Sequence, residues 1–360
     1  MVTVFLIICK FFLYLSFAIL IGTFTMAFAK DENKPVQEVS RRLIQASILG
    51  VALFSFAPIV ELAFRFFDAG GFYYGLVKVI GEFEIGQAYV LTFVIIVIFY
   101  LFASFLPVQT NKQYAAISLF FVLLMIFSQS ATSHVASINP IGIMYHASHL
   151  ISMSLWVGVL FLAGWFTKDT SNWLRFLRWY TPLASICVFF VAFSGFLLMT
   201  LVMDITQYPE TWQLNYGQTL LIKQLLIIPI LFFGIINGFL IKGLLKKKRQ
   251  VNPLPWAKAE SIYVLMVFAV TGVLSQQDPP HVIKETLRTD GTSSLFSIFA
   301  GNTANASFSL TGLGSVMLFL SAIFLFLTIF GFLRKASVFL SFLTGIGFIL
   351  SAYVGFMMCV

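Results

Sequence analysis

Ten stretches of predominantly apolar sequence, each about 20 residues long, constrain this chain more than any motif does. They lie at roughly 3–29, 43–66, 85–107, 114–131, 141–166, 180–203, 218–242, 257–276, 307–333 and 337–358. In hydrocarbon every backbone N–H and C=O needs an internal partner, which a helix supplies along its own length. The expected fold class is therefore all-α: a polytopic membrane helix bundle of about ten transmembrane helices. Composition agrees, at 59% hydrophobic and 10% charged residues, where a soluble domain has about 25% charged. The longest connections, near 67–84 and 277–306, are too small for an independent soluble core. The first of them, FFDAGGFYYGLVKVIGEF, mixes aromatics, glycines and charges and is expected in the membrane interface. The chain divides into N-terminal helices over 1–130, a core over 131–280 that holds most of the unusual polar residues, and an outer connection with two final helices over 281–360.

Orientation follows from the basic residues. The odd-numbered connections hold Lys30, Lys34, Arg41, Arg42, Lys112, Lys168, Arg175, Arg178, Lys242, Lys246, Lys247, Lys248, Arg249, Lys258, Arg334 and Lys335. The even-numbered ones hold only Arg65, Lys78, Lys284 and Arg288, and Lys10 and Lys223 fall within spans. By the positive-inside rule the odd connections are cytoplasmic and both termini extracytoplasmic. The net charge of +8 thus reflects membrane orientation, with KKKR at 246–249 an inner anchor able to touch anionic lipid; a nucleic-acid partner is not expected. Cys9, Cys187 and Cys359 are scattered and form no CxxC pair, so no disulfide framework or zinc site is read from them. Ala27-Phe28-Ala29 resembles a signal-peptidase site, but Lys10 follows an apolar stretch instead of preceding one, and the first segment reads as an uncleaved helix.

Three of the four histidines fall within SATSHVASINPIGIMYHASHLISMSLWVG, residues 130–158. On a helix, His146, His149, Met153 and Trp156 share one stripe. Asn139-Pro140 predicts a turn before that helix, able to fold His134 back over the pair. Imidazole with thioether suits Cu(I), and nitrogen alone suits Cu(II). Met199 and Met203, near the outer end of the sixth span, are further thioether candidates, although methionine is commonly core filler. His281, in SQQDPPHVIK, is a weaker candidate, since nothing beside it fixes its direction. By the orientation above all four histidines face outward.

Other polar residues in spans have a structural and a functional reading. Lys223, in the seventh span, is a functional candidate by default, snorkelling being the alternative. Asp204 is its expected ion-pair partner. Asn237 and Glu260 are candidates for an inner exit, with ordinary interhelical hydrogen bonding the alternative for Asn237. Glu61, Glu82 and Glu84 are expected to be solvated near the outer interface.

With these residues in view, the chain resembles the CopD family of copper-resistance and copper-uptake membrane proteins. SHVA followed by HLISMSLWVGVL (149–160) is similar to the family's SHA and H-hydrophobic-W-G-G-L elements. Arg178-Trp179 leads into a helix with Ser194-Gly195, YGQTLLIKQLLIIPILFFGIING (216–238) resembles its YG-x-x-L-x-x-K helix with a later Asn, and AESIYVLMVFAVTGVLSQQDPP (259–280) its Glu-containing helix closing before prolines. The resemblance runs through residues 130–280; the flanks match in hydrophobic character and helix count. Two positions depart: His146 stands where many relatives have an acidic residue, and Val159 replaces a glycine. The resemblance implies a multi-pass protein of the cytoplasmic membrane that moves copper into or across it. No CopC-like copper domain is fused to the sequence, so a copper-delivering partner of that kind is expected as a separate polypeptide.

Two other classes compete. A b-type cytochrome would clamp haem between two histidines on separate helices, whereas His146 and His149 share one. A membrane enzyme acting on copper sites would need a nucleophile–base arrangement, a Walker motif or HExxH, and none is found. A transport protein, not an enzyme, is the expectation.

Overall fold

The computed structural model describes residues 2–280, 282–300 and 308–360. Their contacts form two compact units divided between Leu201 and Val202.

The first unit contains α1 (Val2–Phe28), α2 (Arg41–Phe64), α3 (Phe67–Glu82), α4 (Glu84–Phe105), α5 (Lys112–Ala131), α6 (His134–Ile138), α7 (Ile141–Trp165) and α8 (Trp173–Val202). Polar side chains cap the starts of α2 and α5. Ser40 accepts from the Leu43 N–H at 3.2 Å, and Asn111 accepts from the N–H groups of Gln113 at 2.8 Å and Tyr114 at 3.4 Å. These side chains satisfy helix-start donors that have no intrahelical partner. α1 lies at the centre, packed on α2, α5 and α7. Its approach to α7 depends on two glycines, because a Cβ on Gly158 would overlap the Ala18 carbonyl and one on Gly22 would overlap the Gly158 backbone. Such backbone proximity is how membrane helices gain dispersion energy where hydrocarbon provides no hydrophobic drive.

The 67–84 segment is a helix seated on α2 and α4 that buries Gly75 and Val79 and leaves Phe67, Tyr73 and Val77 exposed. Gly71, at φ 84°, allows the chain to break direction before the helix continues. Glu61 pairs with Arg65 at 3.0 Å, and Glu82 and Glu84 are exposed. α8 turns Ile186, Phe189, Phe190, Phe193 and Phe196 outward, an apolar face suited to lipid.

Connections one, three and five of this unit lie at a common end. Val36–Gln37 (β1) pairs antiparallel with Thr167–Asp169 (β2), and Glu38 meets Lys168 at 2.7 Å. Gln109 Nε2 donates to the Val39 carbonyl at 2.8 Å, and Trp179 Nε1 to the Asn33 carbonyl at 2.7 Å.

The second unit opens with a 3-10 helix, Ile205–Gln213. A long apolar rod follows: α9 (Asn215–Ile235), a π-helical segment (Ile236–Ile241) and α10 (Lys242–Lys246). Then come α11 (Leu254–Leu274), α12 (Ile283–Asp290), α13 (Ser294–Ala300), α14 (Gly312–Leu333) and α15 (Val338–Met357). α14 and α15 form a hairpin, and Ser337 caps α15 through the Leu340 N–H at 3.2 Å. Tyr263 reaches from α11 to the Phe342 carbonyl at 2.6 Å, over Gly345, where a side chain would collide with its hydroxyl.

Ten of the helical stretches in the described residues are long and apolar enough to cross a membrane. They coincide with the ten apolar runs, the ends moving by a few residues except at the sixth span, which starts at Trp173. Cys9, Cys187 and Cys359 are free, buried thiols.

Candidate functional site

α7 sets the histidines in place. The expected turn before it is present: Asn139 Oδ1 accepts from the Ile141 N–H at 3.0 Å. α6 folds back on the start of α7, but it does so through Val135, whose carbonyl lies where a Cβ on Gly142 would fall. His134 begins α6 and is exposed. The expected convergence of His134, His146 and His149 is not formed: among the described residues, no group of three or more His, Cys, Asp and Glu side chains comes together to hold a metal ion. The reason is local, because the register of α6 spends its inward position on Val135.

His146 and His149 are both half-buried on α7 and turn to different neighbours. His146 Nδ1 lies 3.0 Å from Ser130 Oγ, at the end of α5. His149 Nδ1 lies 3.1 Å from Ser194 Oγ, on α8. Ser194 is 2% exposed and donates its own hydroxyl proton to the Phe190 carbonyl. With that proton committed, Ser194 Oγ is placed to accept from His149, the geometry of an imidazole protonated at Nδ1. A hydrogen bond of this kind to one imidazole nitrogen is the usual arrangement behind a metal-ligating histidine. The imidazole also lies against Gly195, where a Cβ would sit 3.3 Å from Cε1. Ser194-Gly195 therefore supplies both the anchor and the room for this ring.

Other donors line the same helices at different depths. At about 1.5 Å per residue, His149 lies about 12 Å along α7 from its start and Met153 about 18 Å. Ser194 is at the matching depth of about 12 Å from the end of α8, and Met199 at about 4.5 Å. Met153 and Met199 are half-buried. Trp156 is 9% exposed and contributes structure: its carbonyl accepts from the Tyr180 hydroxyl at 3.1 Å, tying α8 to α7. Met203 belongs to the second unit, just past α8, and is buried there. His281 lies outside the described residues.

The expected Lys223–Asp204 pair is not formed. Asp204 is exposed and caps the 3-10 helix, accepting from the Thr206 N–H at 2.9 Å and the Thr206 hydroxyl at 2.7 Å. The Thr206 hydroxyl and then its N–H hold the Asp204 carboxyl below the usual carboxylate range. Lys223 is half-buried on α9 and makes no ion pair with the described carboxylates. Asn237 and Glu260 do meet: Asn237 Nδ2 donates to Glu260 Oε2 at 2.8 Å, with Asn237 7% and Glu260 3% exposed.

Two family models match the chain. The model described as copper resistance protein D covers residues 174–274, and the copper resistance protein D-like N-terminal domain covers 1–140. Ser130, Ser194, Asn237 and Glu260 fall within those ranges, while His146 and His149 lie between them. The copper transport protein CutJ of Bacillus subtilis (strain 168) is 28% identical over 294 residues, 74% of this chain and 52% of the relative. The chain thus spans about half the length of that curated relative. No solved structure matches.

Proposed function

The chain belongs to the copper resistance protein D family, and from that premise we propose that it moves copper, as cargo, into or across the cell membrane. His149 is the principal ligand on its outer side. The observation that supports this reading is the Ser194–His149 contact at 3.1 Å, the kind of hydrogen bond that orients a metal-binding imidazole from behind. His146, one turn nearer the start of α7, is the second nitrogen, and His134 stands at the exposed entrance. Met153 and Met199 supply soft thioether sulfur, which favours Cu(I); with nitrogen ligands alone the site suits Cu(II). The similarity to a protein named for copper transport supports the same direction of thought. The protein acts as a transporter and not as an enzyme, and a CopC-like copper-binding partner outside the membrane delivers the ion.

Metal analysis of the purified protein tests the reading. Wild type binds copper, and His149→Ala loses most of it while inserting normally. Unchanged copper stoichiometry in a His146→Ala/His149→Ala double variant overturns the assignment. An intense Soret band in the absorbance spectrum would instead establish the haem reading.

A further inference from the structure

The inner half of the second unit holds a buried polar pair that copper ligation does not use. Asn237 sits in the π-helical segment Ile236–Ile241, and Glu260 lies in the second turn of α11. Asn237 Nδ2 donates to Glu260 Oε2 at 2.8 Å, yet Asn237 Oδ1 is buried with no hydrogen-bond partner among the described residues. Gly234, one turn earlier on α9, lies beside the other carboxylate oxygen: a Cβ there would stand 3.7 Å from Glu260 Oε1, an ordinary contact. Single π-helical turns recur at functional sites because they displace side chains from the regular helical register.

From this arrangement we infer that Glu260 and Asn237 form a proton-binding site in the inner half of the membrane, in which Glu260 alternates between carboxylate and carboxylic acid. Both oxygens are hard donors, poorly matched to Cu(I), so the ligand here is a proton and not the cargo. The chemistry balances without another reactant. A proton from water adds to one Glu260 oxygen, and the new O–H needs an acceptor. A half-turn of the Asn237 amide exchanges Nδ2 for Oδ1 and provides it. In the charged state the amide donates to the carboxylate; in the neutral state it accepts from the acid. An amide is the side chain that can serve both states without moving its backbone. Burying the charged form costs more than burying the neutral one, which gives the two states different energies and makes the site sensitive to what surrounds it.

The elements packed on α11 are α9, the π-helical segment and α15. Their titratable groups are Tyr216 and Lys223 on α9, Tyr353 on α15, and Lys258 and Tyr263 on α11 itself; Lys242 follows the π-helical segment directly. Glu260 is the one carboxyl on any of these helices.

The inference goes beyond copper binding at His149 and is tested separately from it. Infrared difference spectroscopy of the full-length protein in lipid, recorded without copper over about pH 5 to 9, reads protonated carboxyl groups directly. Wild type is expected to show a carboxylic C=O band that grows as pH falls. Glu260→Gln removes that band, Glu260→Asp shifts it, and Asn237→Leu moves its titration midpoint. The aspartate variant keeps an acid in place and so reads the site even where the glutamine variant folds poorly. A spectrum without a titrating band, or a band unaffected by both Glu260 substitutions, overturns the inference whatever the copper result.

Discussion

Gly22 of α1 and Gly158 of α7 meet backbone to backbone, so that a Cβ on either would fall inside the other helix. This crossing fixes α7 against the central helix of its unit, with His149 little more than two turns away. The position of the imidazole is therefore set partly by residues that never touch it.

Gly158→Ala should act on this packing first. The added methyl meets the Ala18 carbonyl, which is backbone and cannot rotate aside. Overpacking of this kind costs about 1–3 kcal/mol. The expected result is a lower unfolding temperature in detergent, with copper binding weakened only as α7 shifts. A stability equal to wild type would show that the two helices separate freely.

Ser194→Ala removes the hydrogen-bond partner behind His149 and leaves the proposed ligand itself. Loss of a partner behind a metal-bound histidine typically lowers affinity about 10–100-fold. Ser194→Thr, which keeps a hydroxyl, should retain more affinity if the β-branch fits. Titration with a competing chelator reads both. Ligating imidazoles must be neutral, so affinity should fall as pH drops through the histidine range. Equal affinity in wild type and Ser194→Ala would detach Ser194 from the site.

How much of this was legible in the sequence depends on the length scale of the signal. Ten spans were readable because a 20-residue apolar run has few alternatives in a membrane. Asn139 as the turn before α7 was readable too, since a short polar side chain next to proline is a local signal. The direction taken by His134 was not, because it depends on which α6 residue meets Gly142. Nor was the tie between His149 and Ser194, 45 residues apart; Ser194-Gly195 stood out as a family-like pair, but nothing local said which side chain it meets. The π-helical turn at Asn237 left no periodic trace, since one displaced residue barely alters an apolar pattern. Asp204 misled for a physical reason: opposite charges suggested a partner in Lys223, while a nearby N–H and hydroxyl were better placed.

Asp204 gives a pH prediction whose sign follows from its depressed carboxyl. Its cap contributes fully above the ordinary carboxylate range and is lost as pH falls through the lower value of the folded state. Asp204→Ala, which cannot cap, should therefore unfold at a lower temperature than wild type at neutral pH, and the difference should shrink in acid. The carboxyl is exposed, so the shift will be small. A gap that widens on acidification would contradict the capping role.

The last prediction concerns sidedness. Connections one, three and five are joined by the β1–β2 pairing and by the bonds of Gln109 and Trp179. They carry most of the first unit's basic residues, so the positive-inside rule predicts that this end is cytoplasmic. α6 and the start of α7 then lie at the opposite end, facing outward. Single cysteines introduced into a variant lacking Cys9, Cys187 and Cys359 can report this with a membrane-impermeant thiol reagent. Positions 136–139 should label in intact cells, and positions 246–249 only after the membrane is opened. Labelling at 246–249 from outside, with 136–139 protected, would reverse the orientation and bring His134, His146 and His149 to the cytoplasmic end. Copper would then be received from inside the cell, and an external delivery partner would have no site to meet.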